Sequence, residues 1–444
     1  MELDRKQVDR ILEKLDTQGV SRRSFLRHVA TAAAIATAGP LLAGCGSGTS
    51  GTTAGQVATT AAMTPTSGGS GVVLAKGLPI VTLYSSLSIE YYQMWKLGAE
   101  QAVKALEMNY VELANELKPE TEISQFESQV QSGAQMFFIT SPDPGNIPDI
   151  AAKANSDKAY LINVWEEPDW VTPFNFGDYY VQYRSPDSIG QAYTMAKMLF
   201  DKMGGKGGLL HITGWPGGTP DWQRTAGVDK ALKEYPDIKL LDRKPGKWNP
   251  IDSRKAMEDM ITAYPDFGGV FAQNDDCAIG ALQALEERGI DVPIVGLDGN
   301  KQMIQYMTEK KVFASMSHFP WWVAGNSAVS VYDAFNGWKP SAPERMMFYG
   351  GLPVTQDNAQ SYMDKFYGGS DLPFDWPLMS RMIHPDDWDP QNEMWPMEQE
   401  KMWEGRPKPD GWVSPQAIED AKAAAEYDKV KQLYADHYKK KITL

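Results

Sequence analysis

Residues 271–300 read FAQNDDCAIGALQALEERGIDVPIVGLDGN, and the reading of the whole chain works outward from them. Phe271 and Ala272 close a short apolar run that Asn274, Asp275 and Asp276 interrupt. Ala278, Ile279, Leu282 and Leu285 then recur at helical spacing until Gly289. A second apolar run, 292–297, ends on Asp298 and Gly299. The order is strand, polar corner, helix, strand, polar corner. It predicts two parallel strands with Asn274 and Asp298 at their carboxyl ends, the edge at which open α/β sheets meet ligands. The same residues also suit structural work, because Asn and Asp cap helices and Asp-Gly makes turns. Two such corners on neighbouring predicted strands tip the reading toward a site.

The grammar repeats on either side. Strands are predicted at 79–85, 111–113, 136–140 and 160–163, with a helix at 91–106 that buries Met94, Leu97, Ala102 and Leu106. A second set covers 208–213, 238–243, 268–272, 292–297 and 312–317, with helices near 189–203, 221–235, 252–264 and 278–288. Alternation at this spacing predicts an α/β fold: two Rossmann-like, doubly wound lobes with a cleft between them.

FAQND, an alanine-rich helix and VGLDG together resemble the ribose- and galactose-type periplasmic sugar-binding proteins of bacterial ABC importers, over about residues 78–337. The resemblance implies lobes of 77–180 with 318–340, and of 181–317, which close on a ligand by hinge motion. It implies a monosaccharide or polyol ligand, an ABC transporter permease as partner, no cofactor and no catalysis. Carried over position by position, it gives Ser85, Tyr91 and Tyr92 after the first strand. Arg224 follows, with Gly227 supporting the register, then Trp248, Asn274, Asp298 and His318. Aromatic faces suit the C–H surfaces of a sugar, and planar polar groups suit its paired hydroxyls. Taken singly, Tyr91, Tyr92 and Trp248 also suit a core, Arg224 a helix surface and His318 a strand end.

The chain departs from the family after its fourth strand. Where the ribose-type receptors carry Asp-Arg, it reads Asn163-Val164-Trp165-Glu166-Glu167, exchanging donors for a stacking face, Trp165, and an acceptor, Glu166. An acceptor-rich cleft suits a neutral polyhydroxy ligand, since every hydroxyl can donate. The loop Gly214-Trp215-Pro216-Gly217-Gly218-Thr219 is expected at the same cleft. No Lys-Ser or Lys-Thr follows it, so it is not a nucleotide loop.

At the amino end, Ser21-Arg22-Arg23-Ser24-Phe25-Leu26 precedes an alanine-rich apolar stretch ending in Leu42-Ala43-Gly44-Cys45. This order predicts a twin-arginine lipoprotein signal over 1–45 with Cys45 lipidated, hence an extracytoplasmic protein anchored to a membrane. Residues 46–76, mostly Gly, Ser, Thr and Ala with no acidic residue, read as a flexible tether. The other cysteine, Cys277, suits either a thiolate in a first helical turn or a small packing residue. Residues 341–444 are expected as an extension packed on the lobes by Trp376, Trp388, Trp395, Trp403 and Trp412. It would end in one amphipathic helix over 414–438 facing Ala421, Ala424, Val430 and Leu433 inward.

Composition excludes some classes. With 43 basic against 57 acidic residues, a net charge of −14, the chain does not suit nucleic acid. Adjacent carboxylates such as Glu166-Glu167 or Asp275-Asp276 face apart rather than converging as a glycosidase pair. Five His and two Cys offer no metal-ligand spacing. A monomeric transport receptor is the expectation, a sensor presenting its ligand to a membrane signalling protein is the alternative, and a carbohydrate-active enzyme stands behind both.

Overall fold

The computed structural model describes residues 74–442 and 444. The arginine pair, Cys45 and the tether up to residue 73 lie outside the described residues.

Two sheets organise the described chain. The first takes β1 (Pro79–Tyr84), β2 (Asn109–Ala114), β3 (Met136–Ile139), β4 (Tyr160–Val164) and β5 (Tyr180–Pro186) as parallel neighbours in the order β5-β4-β3-β1-β2. Strands at this spacing need crossover helices, supplied by α1 (Glu90–Ala105), α2 (Pro119–Gln131) and α3 (Ile147–Asp157). Alternate residues feed opposite faces. Ile80, Phe138 and Ile162 join one core, and Val81, Phe137, Ile139 and Leu161 join another.

The second sheet is built likewise from β6 (Gly207–Thr213), β7 (Ile238–Pro245), β8 (Gly269–Ala272), β9 (Ile294–Asp298) and β10 (Ala314–Ser317), ordered β10-β9-β8-β6-β7. Its helices are α4 (Ser188–Lys202), α5 (Thr219–Glu234), α6 (Pro250–Ala263), α7 (Asp275–Glu287) and α8 (Lys301–Thr308). Three of their starts follow local chemistry: Asp187, Asn249 and Asn274 each accept a backbone N–H three residues on, and Pro250 opens α6. Cys277 is fully buried, and burial pushes its thiol up to about 12, so it packs rather than reacts.

Three features differ from the expectations. Strand β5 lies wholly in the first sheet, so the chain crosses to the second lobe after Pro186 rather than at 180. Its Arg184 and Gln182 are buried, which breaks the apolar signature of a central strand. Residues beyond 341 are woven into both sheets: β11 (Met346–Tyr349) pairs with β5, β12 (Leu352–Thr355) with β10, and β13 (Met394–Pro396) with β11. The terminal helix is two helices, α10 (Gln416–Ala423) and α11 (Glu426–His437), parted at Ala425, whose φ is 53°. Buried Ile418 and Ala421 project nearly opposite to buried Val430 and Tyr434 on a continuous 3.6-residue helix, so only a break turns both pairs inward. Ala424 and Leu433 are exposed, and Ser414 Oγ caps nothing.

Helix α9 (Pro320–Phe335) returns to the first lobe against α1, buried along almost its whole length. Gly98 makes this crossing: a Cβ there would lie 2.0 Å from the Trp321 carbonyl oxygen. The substitution Gly98→Ala is therefore expected to cost about 3 kcal/mol or more, an overpacking penalty read as a lowered thermal midpoint, while Gly369→Ala, with open space and no left-handed φ, costs far less.

Candidate functional site

The two corners singled out in the sequence adjoin the same space. Asn274 lies two residues beyond β8 as the cap of α7, and its Oδ1 accepts from Cys277 N at 2.8 Å. The Asn274 side chain also hydrogen-bonds the Asp298 carboxyl, and both residues line the cleft. Asp298 ends β9 with a φ of 136°, a conformation that an L-residue holds only when its surroundings enforce it. Burial raises its carboxyl well above the usual carboxylate range, with Arg224 opposing and Asp275 and Asp276 adding to the rise.

Arg224 arises from the buried face of α5. Its Nη1 donates to the Gln273 carbonyl, Nη2 lies 3.2 Å from His318 Nε2 and 3.8 Å from Asp298 Oδ1, and Nε has no protein partner. The guanidinium lies over two indole rings, 5.2 Å from the centroid of Trp165 and 5.3 Å from that of Trp248, contacts worth most where water is excluded. Trp248 reaches it because residue 214 is glycine; a Cβ there would lie 1.8 Å from the ring.

The first lobe contributes an aromatic wall. Trp165 Nε1 donates to Tyr91 Oη at 2.7 Å, Tyr91 meets Tyr92 edge-on at 5.3 Å, and Ser85 Oγ donates to Tyr92 Oη at 3.3 Å. Trp165 has a φ of 74° and is held by Tyr183, whose hydroxyl donates to its carbonyl at 2.9 Å.

Glu166 spans the cleft. Its Oε2 accepts from Thr219 N, the first amide of α5, at 2.8 Å, and Glu167 N and O bond Thr219 Oγ1 at 3.2 and 3.0 Å. Burial lifts the Glu166 carboxyl to about 7 against the Thr219 bonds, which lower it. Glu90 makes a second bridge, accepting from Lys301 N of α8 at 2.7 Å.

Ser85, Tyr91, Tyr92, Trp165, Glu166, Arg224, Trp248, Asn274 and Asp298 thus line one cavity of about 360 Å3, together with the 215–218 loop. This is the size range of small-molecule sites. His318 is the exception. It stands behind the cavity, edge-on to Trp165 at 5.2 Å, and burial beside Arg224 holds it neutral, well below its ordinary pKa. Because Arg224 donates to Nε2, the ring proton belongs on Nδ1. It supports Arg224 instead of facing the cavity. Thr140 and Asp143 also line the space and were not singled out. The apolar run and polar corner at 136–143 carry the same signal as 270–276. Gln273 was missed as well: its side chain binds Gly214 N at 2.9 Å, Asp221 O at 3.0 Å and Thr225 Oγ1 at 2.8 Å, tying loop, helix and strand end together.

Two doubly wound α/β lobes facing each other across a polar, aromatic-lined cleft define the bilobed fold of type I periplasmic binding proteins. Residues 80–339 match the family model described as a periplasmic binding protein domain, and the chain belongs to that family. It is similar to the xylitol-binding protein of Mycolicibacterium smegmatis, 32% identical over 221 residues, which are 49% of this chain and 61% of that protein. The match thus spans less than two thirds of that relative. The ribose import binding protein of Salmonella typhimurium is 25% identical over 242 residues, 54% of this chain and 79% of the relative. Among solved structures, the twin-arginine translocation pathway signal protein from Burkholderia phytofirmans is 26% identical with a TM-score of 0.61, covering 66% of this chain and 93% of its own.

Burial also lifts Glu122 and Asp275 to about 7, Asp333 to about 7 and Glu167 to about 8. A raised carboxyl binds its proton more tightly folded than unfolded, so its stabilising share is present below the unfolded pKa and is lost as pH rises through the folded one. The thermal midpoint is expected to fall between pH 5.5 and pH 8. Glu167→Gln should flatten the slope by about 1 kcal/mol per pH unit over part of that window, measured by calorimetry. A midpoint that climbs toward pH 8 contradicts this.

Proposed function

We propose that this protein is the extracytoplasmic receptor of an ABC importer, binding a neutral monosaccharide or polyol between its lobes by hinge closure and catalysing nothing. The observation that carries the reading is the cavity of about 360 Å3 in which aromatic faces, an arginine, an amide donor and carboxyl acceptors converge from both lobes. Such a set matches the two surfaces of a small polyhydroxy molecule, C–H faces and paired hydroxyls. Relatives named for xylitol, ribose and apiose support the same ligand class. In this reading Arg224, Asn274 and Asp298 bond hydroxyls, Trp165, Trp248, Tyr91 and Tyr92 enclose the carbon skeleton, and Ser85 and Glu166 add polar contacts.

The test is calorimetric titration with xylitol, ribose, other pentoses, hexoses and inositols, followed through Asn274→Ala and Asp298→Ala. Each substitution should weaken a bound ligand by about 1–3 kcal/mol, because hydroxyls and partner groups lose their hydrogen bonds. Unchanged affinity in both variants removes the site assignment, and turnover of a glycoside removes the receptor reading.

We further propose that Cys45 carries the lipid that anchors the protein, with residues 46–76 as its leash. The support is the order of arginine pair, apolar stretch and Leu-Ala-Gly-Cys. The wild-type protein should then partition into the detergent phase of a Triton X-114 extraction, and Cys45→Ser into the aqueous phase.

A further inference from the structure

We propose that Glu166 restricts the cleft to uncharged ligands, because from the first lobe it fills the helix N-terminus on the second lobe that would otherwise receive an anion. The inference rests on the receptor reading and deepens it. Helix α5 begins at the cavity, and an unpaired helix N-terminus attracts carboxylates and phosphates through its free amides and its dipole. That position is taken: Thr219 N donates to Glu166 Oε2 at 2.8 Å. The other oxygen, Oε1, lies 3.2 Å from where a Cβ on Gly218 would stand, so the carboxyl sits directly on the backbone that opens the helix.

The cationic group in the cavity is engaged as well. The Arg224 guanidinium is shared among the Gln273 carbonyl, His318 Nε2 and Asp298 Oδ1. The carboxyl groups of Glu166, Asp143 and Asp298 line the same space. A ligand hydroxyl can donate to any of them. A ligand carboxylate or phosphate instead meets the Glu166 carboxylate, a capped helix and an arginine whose Nη1 and Nη2 are engaged and whose Nε alone is open, and a like-charge contact in a desolvated cleft is costly.

The experiment titrates the full-length chain at pH 8 with xylitol, D-ribose and the acid anions D-xylonate and D-ribonate, in the wild type, Glu166→Gln and Glu90→Gln. The wild type should bind a neutral probe at least about 100-fold more tightly than the anion of the same carbon skeleton, and Glu166→Gln should narrow that ratio at least about tenfold. Glu90→Gln neutralises a bridging carboxylate of the same kind outside the cavity and should leave the ratio unchanged, which separates specificity in the cleft from loss of charge elsewhere between the lobes. Comparable wild-type affinity for neutral and anionic probes overturns the inference and leaves the receptor intact, even if Glu166→Gln fails to fold. A ratio that Glu166→Gln does not move, or that Glu90→Gln moves equally, also overturns it. Where neither neutral probe binds, the neutral ligand found in the wider titration and its acid anion take their place; binding of none of that panel, or of the anions alone, removes the receptor reading and this inference with it.

Discussion

A single buried carboxylate fixes the edge on which the site stands. Asp275 accepts from Gly299 N and Asn300 N, both at 2.7 Å, and from Ser315 Oγ at 2.6 Å. It thereby joins the first residue of α7 to the turn after β9 and to β10. Desolvating a carboxyl is expensive, and three strong hydrogen bonds are what make the burial tolerable. Gly296 is part of the same arrangement, since a Cβ there would lie 2.3 Å from Asp275 Oδ1. Asn274 precedes this cross-link in sequence, and Asp298 precedes the amides it binds. The strained backbone of Asp298 persists because its neighbour Gly299 is held by Asp275 on one side and stands against Ser317 on the other.

The second constraint is where the chain passes between lobes. The strand registers set Tyr349 beside Pro186 in the first sheet and Leu352 beside Ser317 in the second. Three crossings, after β5, after β10 and between β11 and β12, therefore run side by side. Gly351 is squeezed among them, since a Cβ would lie 2.9 Å from the Ser317 carbonyl and from Gln191 Nε2. In the proposed closure, neighbouring crossings would act as one hinge and let the lobes rotate without tearing either sheet.

What was legible follows from the range of the interactions. Helices α4 to α7 of the second lobe declare themselves through apolar periodicity, and their observed bounds differ from the predicted ones by a few residues, whereas the short α8 was not predicted. Asn274 and Asp298 were legible because strand ends are where a parallel sheet exposes polar groups, whereas Arg224, in the second turn of α5, was reached only through the family resemblance. Strands β11, β12 and β13 were not. They are three or four residues long, and their pairing partners lie some 40 to 160 residues away, so no local period marks them. His318 was misread in position: Phe319, with a φ of 51°, turns the chain abruptly into α9 and leaves the imidazole behind Trp165. The bridging bond of Glu166 depends on how the lobes meet, which neighbouring sequence does not encode.

The carboxyl-terminal segment bears on that meeting. Trp403 Nε1 donates to the Asp169 carbonyl of the first lobe at 2.9 Å, and Arg406 lies 3.5 Å from the Asp169 carboxylate. The same few residues hold α5 of the second lobe through Arg406 over Trp222 at 4.6 Å and Glu404 with Lys230 at 2.7 Å. Helix α5 is thus fastened to the first lobe twice, at its start by Glu166 and along its side by this strap. Opening the cleft requires both to release. The strap's ion pairs are partly exposed, and such pairs are worth about 0–1 kcal/mol each, so it resists opening without forbidding it. A ligand changes the balance of open and closed forms only by its differential affinity for the two. A weak strap beside a buried bridge therefore sets a modest bias toward closure and leaves the larger share of the decision to the contacts in the cleft.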